Sequence, residues 1–229
     1  MMRVKTRRLG RPTLDEASAL MDKILDRTLQ ALCNHGSEGL SIDDLVQDIG
    51  VTKRTIYRHF DNKAGLIDAV VTRELARLKH DAVHDEIPAT SPLASLQNWS
   101  RHFFLYLNQP QTQAFSNYLQ FESLRNPGLA LRASSWHNVV VEHVTALIVA
   151  AQNDGGICQM DPHRVVLILL DLLSGAATRS RFQLEHEAVF GNETPEQFFV
   201  GRWAAFMRLV SPDPWASFLA EAASVTRND

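Results

Sequence analysis

Apolar positions recur at helical spacing along most of the 229-residue chain, and no segment shows the alternation typical of a half-buried β-strand. In the first third, the spacing predicts helices at about 14–35, 41–49, 52–60 and 62–80. Beyond the proline-containing loop at 87–92, it predicts helices at about 93–108, 110–124, 128–152, 161–184 and 195–210. The pattern therefore predicts an all-α fold.

Capping residues support the boundaries of the short helices. Asn34-His35-Gly36 is typical of a helix C-terminus, because glycine adopts the left-handed conformation that ends many helices. Ser41 and Thr52 are good N-caps, Gly50 allows a sharp turn between them, and Asp61 is predicted to cap the next helix. The segment 41–60 is thus predicted to form two short helices joined by a tight turn.

The distribution of charge divides the chain further. Residues 1–80 hold 14 Lys/Arg and 11 Asp/Glu, whereas residues 81–229 hold 9 and 15. Such asymmetry predicts that a polyanion contacts one end of the protein only. We therefore predict a basic N-terminal arm at 1–13, a first domain at 14–80 and a second domain at 81–229.

The segment 41–60 has helix-turn-helix spacing, in which a first helix supports a second that enters the DNA major groove. Val51, Ile56 and Phe60 are predicted to point inward. The other side chains of the second helix include no acid and suit phosphate oxygens and base edges; they are Lys53, Arg54, Thr55, Tyr57, Arg58 and His59. Ser41 and Lys63 are predicted to contact phosphate at the starts of the neighbouring helices.

The run from Ser41 to Ile67 resembles the DNA-binding signature of the TetR family of regulators, which this chain matches over about residues 18–78. The resemblance rests on the Thr-hydrophobe-Tyr-x-His-Phe core at 55–60, on Lys63 and on the Leu66-Ile67 pair. It implies that Thr55, Tyr57, His59 and Lys63 touch the DNA and that Lys53 and Arg54 read sequence. Asp43 and Asp44 depart from it, since several members have basic or neutral residues there. The predicted DNA surface on that helix is therefore limited to Ser41.

The resemblance also implies how such a protein functions. A TetR-like fold joins an N-terminal three-helix helix-turn-helix domain to a C-terminal helical domain for ligand binding and dimerisation. The implied function is sequence-specific transcriptional regulation, in which a homodimeric repressor is released from a palindromic operator in double-stranded DNA by a small hydrophobic or aromatic molecule. The Arg7, Arg8 and Arg11 arm resembles the minor-groove arms of some members, and a solvated tail is the alternative.

The second domain more loosely resembles the sensory domains of AefR- or AcrR-like members. Aromatic side chains in its first helices, with polar groups among them, are predicted to bind an effector; the candidates are Trp99, Phe103, Tyr118, Phe121, Glu122 and His137. An ordinary core is the alternative. The last two apolar helices, which carry small residues, favour a homodimer over a monomer core. Asp171, set among leucines, faces a subunit seam or pairs with Arg179.

Other classes of function find less support. No motif predicts an enzyme, a cofactor or a bound metal, although His80 and His84 have a spacing that can hold a metal ion. Cys158 as a thiol sensor and a scaffold without DNA binding are the further alternatives. No apolar run approaches the length of a membrane span, and a cytoplasmic location is expected.

Overall fold

The computed structural model describes residues 14–83, 89–180 and 189–212, and within these ranges the regular structure is α-helical, as the periodicity predicts. The helices are α1 (Leu14–Gly39), α2 (Ile42–Ile49), α3 (Lys53–Phe60), α4 (Lys63–Ala82), α5 (Pro92–Leu107), α6 (Pro110–Ser123), α7 (Pro127–Asn153), α8 (Pro162–Ser180) and α9 (Pro195–Val210). The chain forms two compact units, which divide inside α4 between Glu74 and Leu75.

In the first unit, α1 to α4 share one apolar core. Ile24 and Leu32 of α1, Ile56 of α3 and Leu66 of α4 are fully or almost fully buried. An ion-pair cluster joins α4 to α1, since the Arg73 guanidinium lies 2.8 Å from both Asp26 and Glu74. These contacts fix the helices around α3, which contributes a single buried side chain, Ile56.

Two helix ends differ from the prediction or refine it. Helix α1 extends to Gly39, but Gly36 has φ 69° and ψ 180°, so the helix is interrupted at the predicted glycine. The prediction that Asp61 caps α4 is wrong. Asp61 is instead the C-cap residue of α3, with φ 57°. Asn62 caps the start of α4, because its side-chain oxygen accepts the Gly65 N–H at 2.9 Å. Helix α4 begins at Lys63, one residue later than predicted, so its cap moves from Asp61 to Asn62.

In the second unit, α5, α7, α8 and α9 enclose the main core. Trp99 of α5 donates from Nε1 to the Ala82 carbonyl at 2.6 Å and stacks on Phe103 with ring centroids 4.8 Å apart. Phe104 packs against Phe198 and Phe199 of α9. Helix α6 packs on α7.

The connection between α7 and α8 is held by a buried amide. Gln152 donates to the carbonyls of Cys158 and Met160 at 3.0 and 2.8 Å, and the Cys158 N–H donates to Val210 at 2.8 Å. Because a buried polar side chain must be hydrogen-bonded to avoid a desolvation cost, Gln152 holds this loop against α7, and the Cys158 N–H joins the loop to the end of α9.

Candidate nucleic-acid interface

Local capping sets the two short helices at the centre of the candidate site. The Ser41 hydroxyl accepts the Asp44 N–H at 3.2 Å and starts α2. Gly50 ends α2 in the left-handed conformation, with φ 80°, and its N–H donates to Val46. Thr52 then accepts the Thr55 N–H at 3.2 Å and starts α3. Each of the three predicted signals therefore makes the contact that its residue type favours.

Helix α3 has one inward and one outward face. Ile56 is 0% exposed and Phe60 and Val51 are half-buried, as predicted. Tyr57 is 39% exposed, although large apolar rings are usually buried. Lys53, Arg54, Arg58 and His59 are also exposed, and the helix contains no acid. The outward face is thus cationic and hydrogen-bonding, a composition that suits phosphates and base edges.

The three cations on this face have different surroundings. Lys53 pairs with Asp43 of α2, with 2.7 Å between Nζ and the carboxylate. The hydrogen bond to Asp43, and then its charge, raise the pKa of Lys53. Arg58 donates to Nε2 of His59 at 3.2 Å, and this ring nitrogen must accept because a guanidinium can only donate. The Arg54 guanidinium has no partner among the described residues.

The hydroxyl and amine groups predicted to meet phosphate also have local structural contacts. The Thr55 hydroxyl lies 3.0 Å from that of Thr52, so it takes part in the cap of α3. Lys63 is half-buried, and its Nζ donates to the Glu38 carbonyl at 3.4 Å. Ser41 is half-buried at the start of α2. Arg7, Arg8 and Arg11 lie outside the described residues.

The junction between α3 and α4 depends on a residue that the sequence analysis did not single out. A Cβ atom at Gly65 would collide with the carbonyl oxygen of Phe60. Glycine is thus required where α4 begins against the end of α3. A glycine in the first turn of a helix, three residues after an asparagine cap, is the sequence signal that could have revealed this contact.

The six predicted effector residues lie in different environments within the second unit. Trp99, Phe103 and Tyr118 are buried, and Glu122 is half-buried. Phe121 is 55% exposed and packs under Arg125, whose guanidinium carbon lies 4.8 Å from the ring centroid. His137 is exposed. The structure therefore brings Trp99 and Phe103 together, and it places Phe121 and His137 at the surface of the single chain.

Three buried polar atoms on α6 and α7 have no hydrogen-bond partner among the described residues. They are Oδ1 of Asn117, Oγ of Ser123 and Nε1 of Trp136. Buried polar groups in proteins are nearly always hydrogen-bonded, so three such atoms on two packed helices need an explanation. None of the three was predicted to bind a ligand, because a sequence does not show which polar atoms are buried.

The remaining alternatives concern metals, membranes and Asp171. His84 lies outside the described residues, and within the described ranges no group of three or more His, Cys, Asp or Glu is arranged to hold a metal ion. None of the helices seen here combines the length and apolar character needed to cross a bilayer. Asp171 is exposed, and Arg179 donates to the Val189 carbonyl at 2.9 Å, so of the two alternatives for Asp171 the pair with Arg179 is not found.

The fold and this outward face define a helix-turn-helix protein with a separate helical unit. Residues 24–70 match the family model described as bacterial regulatory proteins, tetR family. The chain is 27% identical over 124 residues to the HTH-type transcriptional regulator SrpR of Pseudomonas putida, a match that covers 53% of this chain and 55% of SrpR. It is 37% identical over 75 residues to the HTH-type transcriptional repressor ComR of Escherichia coli K12, covering 32% of this chain and 34% of ComR.

The fold is similar to solved structures over most of the chain. A TetR transcriptional regulator from Chloroflexus aurantiacus superposes with a TM-score of 0.70 and 18% identity, covering 86% of this chain and 98% of that one. At this identity the similarity concerns the fold, whereas the N-terminal match concerns the sequence. The sequence similarity to TetR-family regulators thus covers the N-terminal part of the chain, which spans about half the length of SrpR and about a third of that of ComR, and the similarity of fold covers most of the chain.

Proposed function

We propose that the chain is a homodimeric repressor that binds a palindromic operator through α3 and is released from it by a small hydrophobic or aromatic effector. The main observation in favour of this function is the outward face of α3, which exposes Lys53, Arg54, Tyr57, Arg58 and His59 and carries no acid. A helix held by one buried isoleucine leaves its other faces available for a duplex. The match to a relative whose name includes repressor supports the direction of regulation.

A homodimer is supported by the surfaces of α8 and α9. Leu167 of α8 is 44% and Val200 of α9 is 65% exposed. Gly201 and Ala204 lie exposed near Val200 and allow close approach of another helix. Many apolar residues of these two helices are buried within the single chain, among them Val165 and Leu169 of α8 and Phe206 of α9. The exposed set is therefore the candidate seam, and Asp171 lies exposed on the same helix as Leu167.

An effector site between α6 and α7 is supported by the three buried polar atoms there. The indole N–H of Trp136 can donate and Oδ1 of Asn117 can accept, whereas the Ser123 hydroxyl can do both. All three groups are neutral. We propose that the effector is a neutral aromatic molecule with a hydroxyl or carbonyl group, since such a molecule would satisfy them while its ring packs on the apolar core.

DNA binding is tested by selecting duplexes from a random pool with the purified full chain, followed by titration of the recovered sequence. We expect inverted half-sites about 10 base pairs apart, one helical turn, because a two-fold dimer presents two copies of α3. The affinity should fall steeply with salt. Failure to enrich any sequence, together with no binding to any duplex at low ionic strength, would refute the proposal.

Release by an effector is tested with a panel of neutral hydroxylated aromatic compounds. A compound that binds should weaken operator affinity, and the operator should weaken its binding by the same factor, because coupling between two sites is reciprocal. Asn117→Ala should reduce the affinity for that compound and leave operator affinity unchanged. If no compound in the panel changes operator affinity, or if Asn117→Ala binds the compound as tightly as the unmodified chain, this part of the proposal fails.

A further inference from the structure

An acidic residue stands beside the cationic face of α3. Asp43 is the second residue of α2 and Lys53 is the first residue of α3, and their charged atoms lie 2.7 Å apart. The side chains are 66% and 51% exposed, respectively. The pair is thus in contact with water and lies where a duplex approaching α3 would meet it. The Asp43 carboxylate is therefore placed to affect how Lys53 binds DNA.

Local electrostatics favour this pair in the free protein. The N-terminus of a helix carries a partial positive charge, and α3 adds Lys53 and Arg54 in its first turn without any acid of its own. An anion from a neighbouring helix therefore stabilises this end of α3. Asp43 supplies one, and the raised pKa of Lys53 agrees with a close contact between the two charges.

The pair makes Lys53 different from its neighbour. Arg54 is exposed, and within the described ranges its guanidinium has no partner, so it can meet DNA without giving up a contact. Lys53, in contrast, must break its ion pair with Asp43 before it can contact a DNA group. Because Asp43 remains near any phosphate that Lys53 approaches, that exchange gains little when the new partner is only another anion.

We propose that Asp43 is a specificity-determining residue that keeps Lys53 from binding the phosphates of arbitrary DNA and releases it only to a base edge. This inference rests on the proposed DNA-binding function. Phosphates occur on every duplex, whereas the O6 and N7 acceptors of guanine are present only at particular sequences. Neutral acceptors do not repel Asp43. The carboxylate thus lowers non-specific affinity more than operator affinity.

The test compares Asp43→Asn with Asp44→Asn in the full chain, on the selected operator and on a scrambled duplex of equal length. Both changes remove one negative charge from the same helical turn of α2, and only the first breaks the contact with Lys53. We expect Asp43→Asn to bind the scrambled duplex about three- to tenfold more tightly at low salt and to steepen its salt dependence by about 0.9, which corresponds to one added phosphate contact. Operator affinity should change by less than this.

Lys53→Met provides the second arm of the experiment. When it is combined with Asp43→Asn, Lys53→Met should abolish the increase in affinity for the scrambled duplex. As a single change, Lys53→Met should mainly lower the affinity for the operator. Equal gains from Asp43→Asn and Asp44→Asn, or a gain that persists without Lys53, would mean a general charge effect and would overturn the inference. A chain that binds no duplex at all would instead overturn the proposed function on which it rests. Circular dichroism of each variant confirms that the helices are retained.

Discussion

Individual side chains on α3 and α4 are expected to contribute differently to DNA recognition. Arg54 is exposed without a partner among the described residues, whereas Lys63 is half-buried and tied to the Glu38 carbonyl. A side chain that is free to reorient can follow a base edge, and one that is held in place suits a phosphate that every duplex has. The two residues therefore allow sequence reading to be separated from general affinity.

Arg54→Ala should relax base preference, whereas Lys63→Ala should weaken all sequences alike. We expect Arg54→Ala to reduce discrimination at one base pair of each half-site by about 1–3 kcal/mol. Lys63→Ala should lower the salt slope by about 1 without changing the preferred sequence. Titrations of single-base operator variants at several salt concentrations measure both effects. Equal loss of discrimination in both variants would contradict this division of roles.

The thiol of Cys33 should be unreactive at neutral pH. Burial, and then the charge of Glu74, raise its pKa from the ordinary 9.0 to about 11. The folded state therefore holds this proton more tightly than the unfolded chain does, so the stability that the thiol contributes is present below pH 9 and is lost as the pH rises toward 11. In a Cys158→Ala variant, iodoacetamide should label Cys33 increasingly fast up to about pH 11. A rate that levels off near pH 9 would show that the thiol is not shielded.

At the scale of elements, the positions of α2 and α3 could be predicted closely from the sequence. Ser41, Gly50 and Thr52 act through their own backbone and nearest neighbours, and such local signals survive in any fold. The α3–α4 turn was predicted less well. Asp61 and Asn62 are both good caps, and the choice between them depends on how closely Gly65 approaches Phe60, which only the folded chain determines.

The turn between α2 and α3 should tolerate asparagine at position 50 better than alanine. Gly50 has φ 80°, a conformation that costs most L-residues about 1–2 kcal/mol and that asparagine adopts more readily. Gly50→Ala should lower the free energy of unfolding by roughly this amount, and Gly50→Asn by clearly less. Chemical denaturation followed by circular dichroism gives both values. A Cβ atom at position 50 would meet no heavy atom within 4 Å, so an equal loss in the two variants would contradict the conformational explanation.

At the scale of the whole molecule, the sequence predicted the helix boundaries and inward side chains of the first unit better than the environments of residues in the second unit. An aromatic residue at helical spacing looks the same in a core, in a pocket and on a surface, and Phe103 and Phe121 illustrate two of these cases. The candidate dimer helices show the same ambiguity, since burial within the chain and exposure at a seam both select apolar residues. The packing of helices that are distant in sequence decides which apolar residues are buried within the chain and which remain exposed, and a local sequence pattern does not contain this information.

The candidate seam on α8 and α9 can be tested with a charge at its most exposed apolar position. Val200 is 65% exposed on α9, within the candidate seam. Leu131 is similarly exposed, at 71%, but lies on α7 outside the seam, and it therefore serves as the control position. An aspartate buried in a helix-to-helix contact without a partner is strongly unfavourable, whereas an aspartate in water costs little. Val200→Asp should therefore shift the protein toward monomers at micromolar concentration and weaken binding to the full palindrome more than to a single half-site. Leu131→Asp should leave the oligomeric state unchanged. Sedimentation velocity and operator titrations measure these outcomes, and a Val200→Asp protein that remains dimeric would place the subunit contact elsewhere.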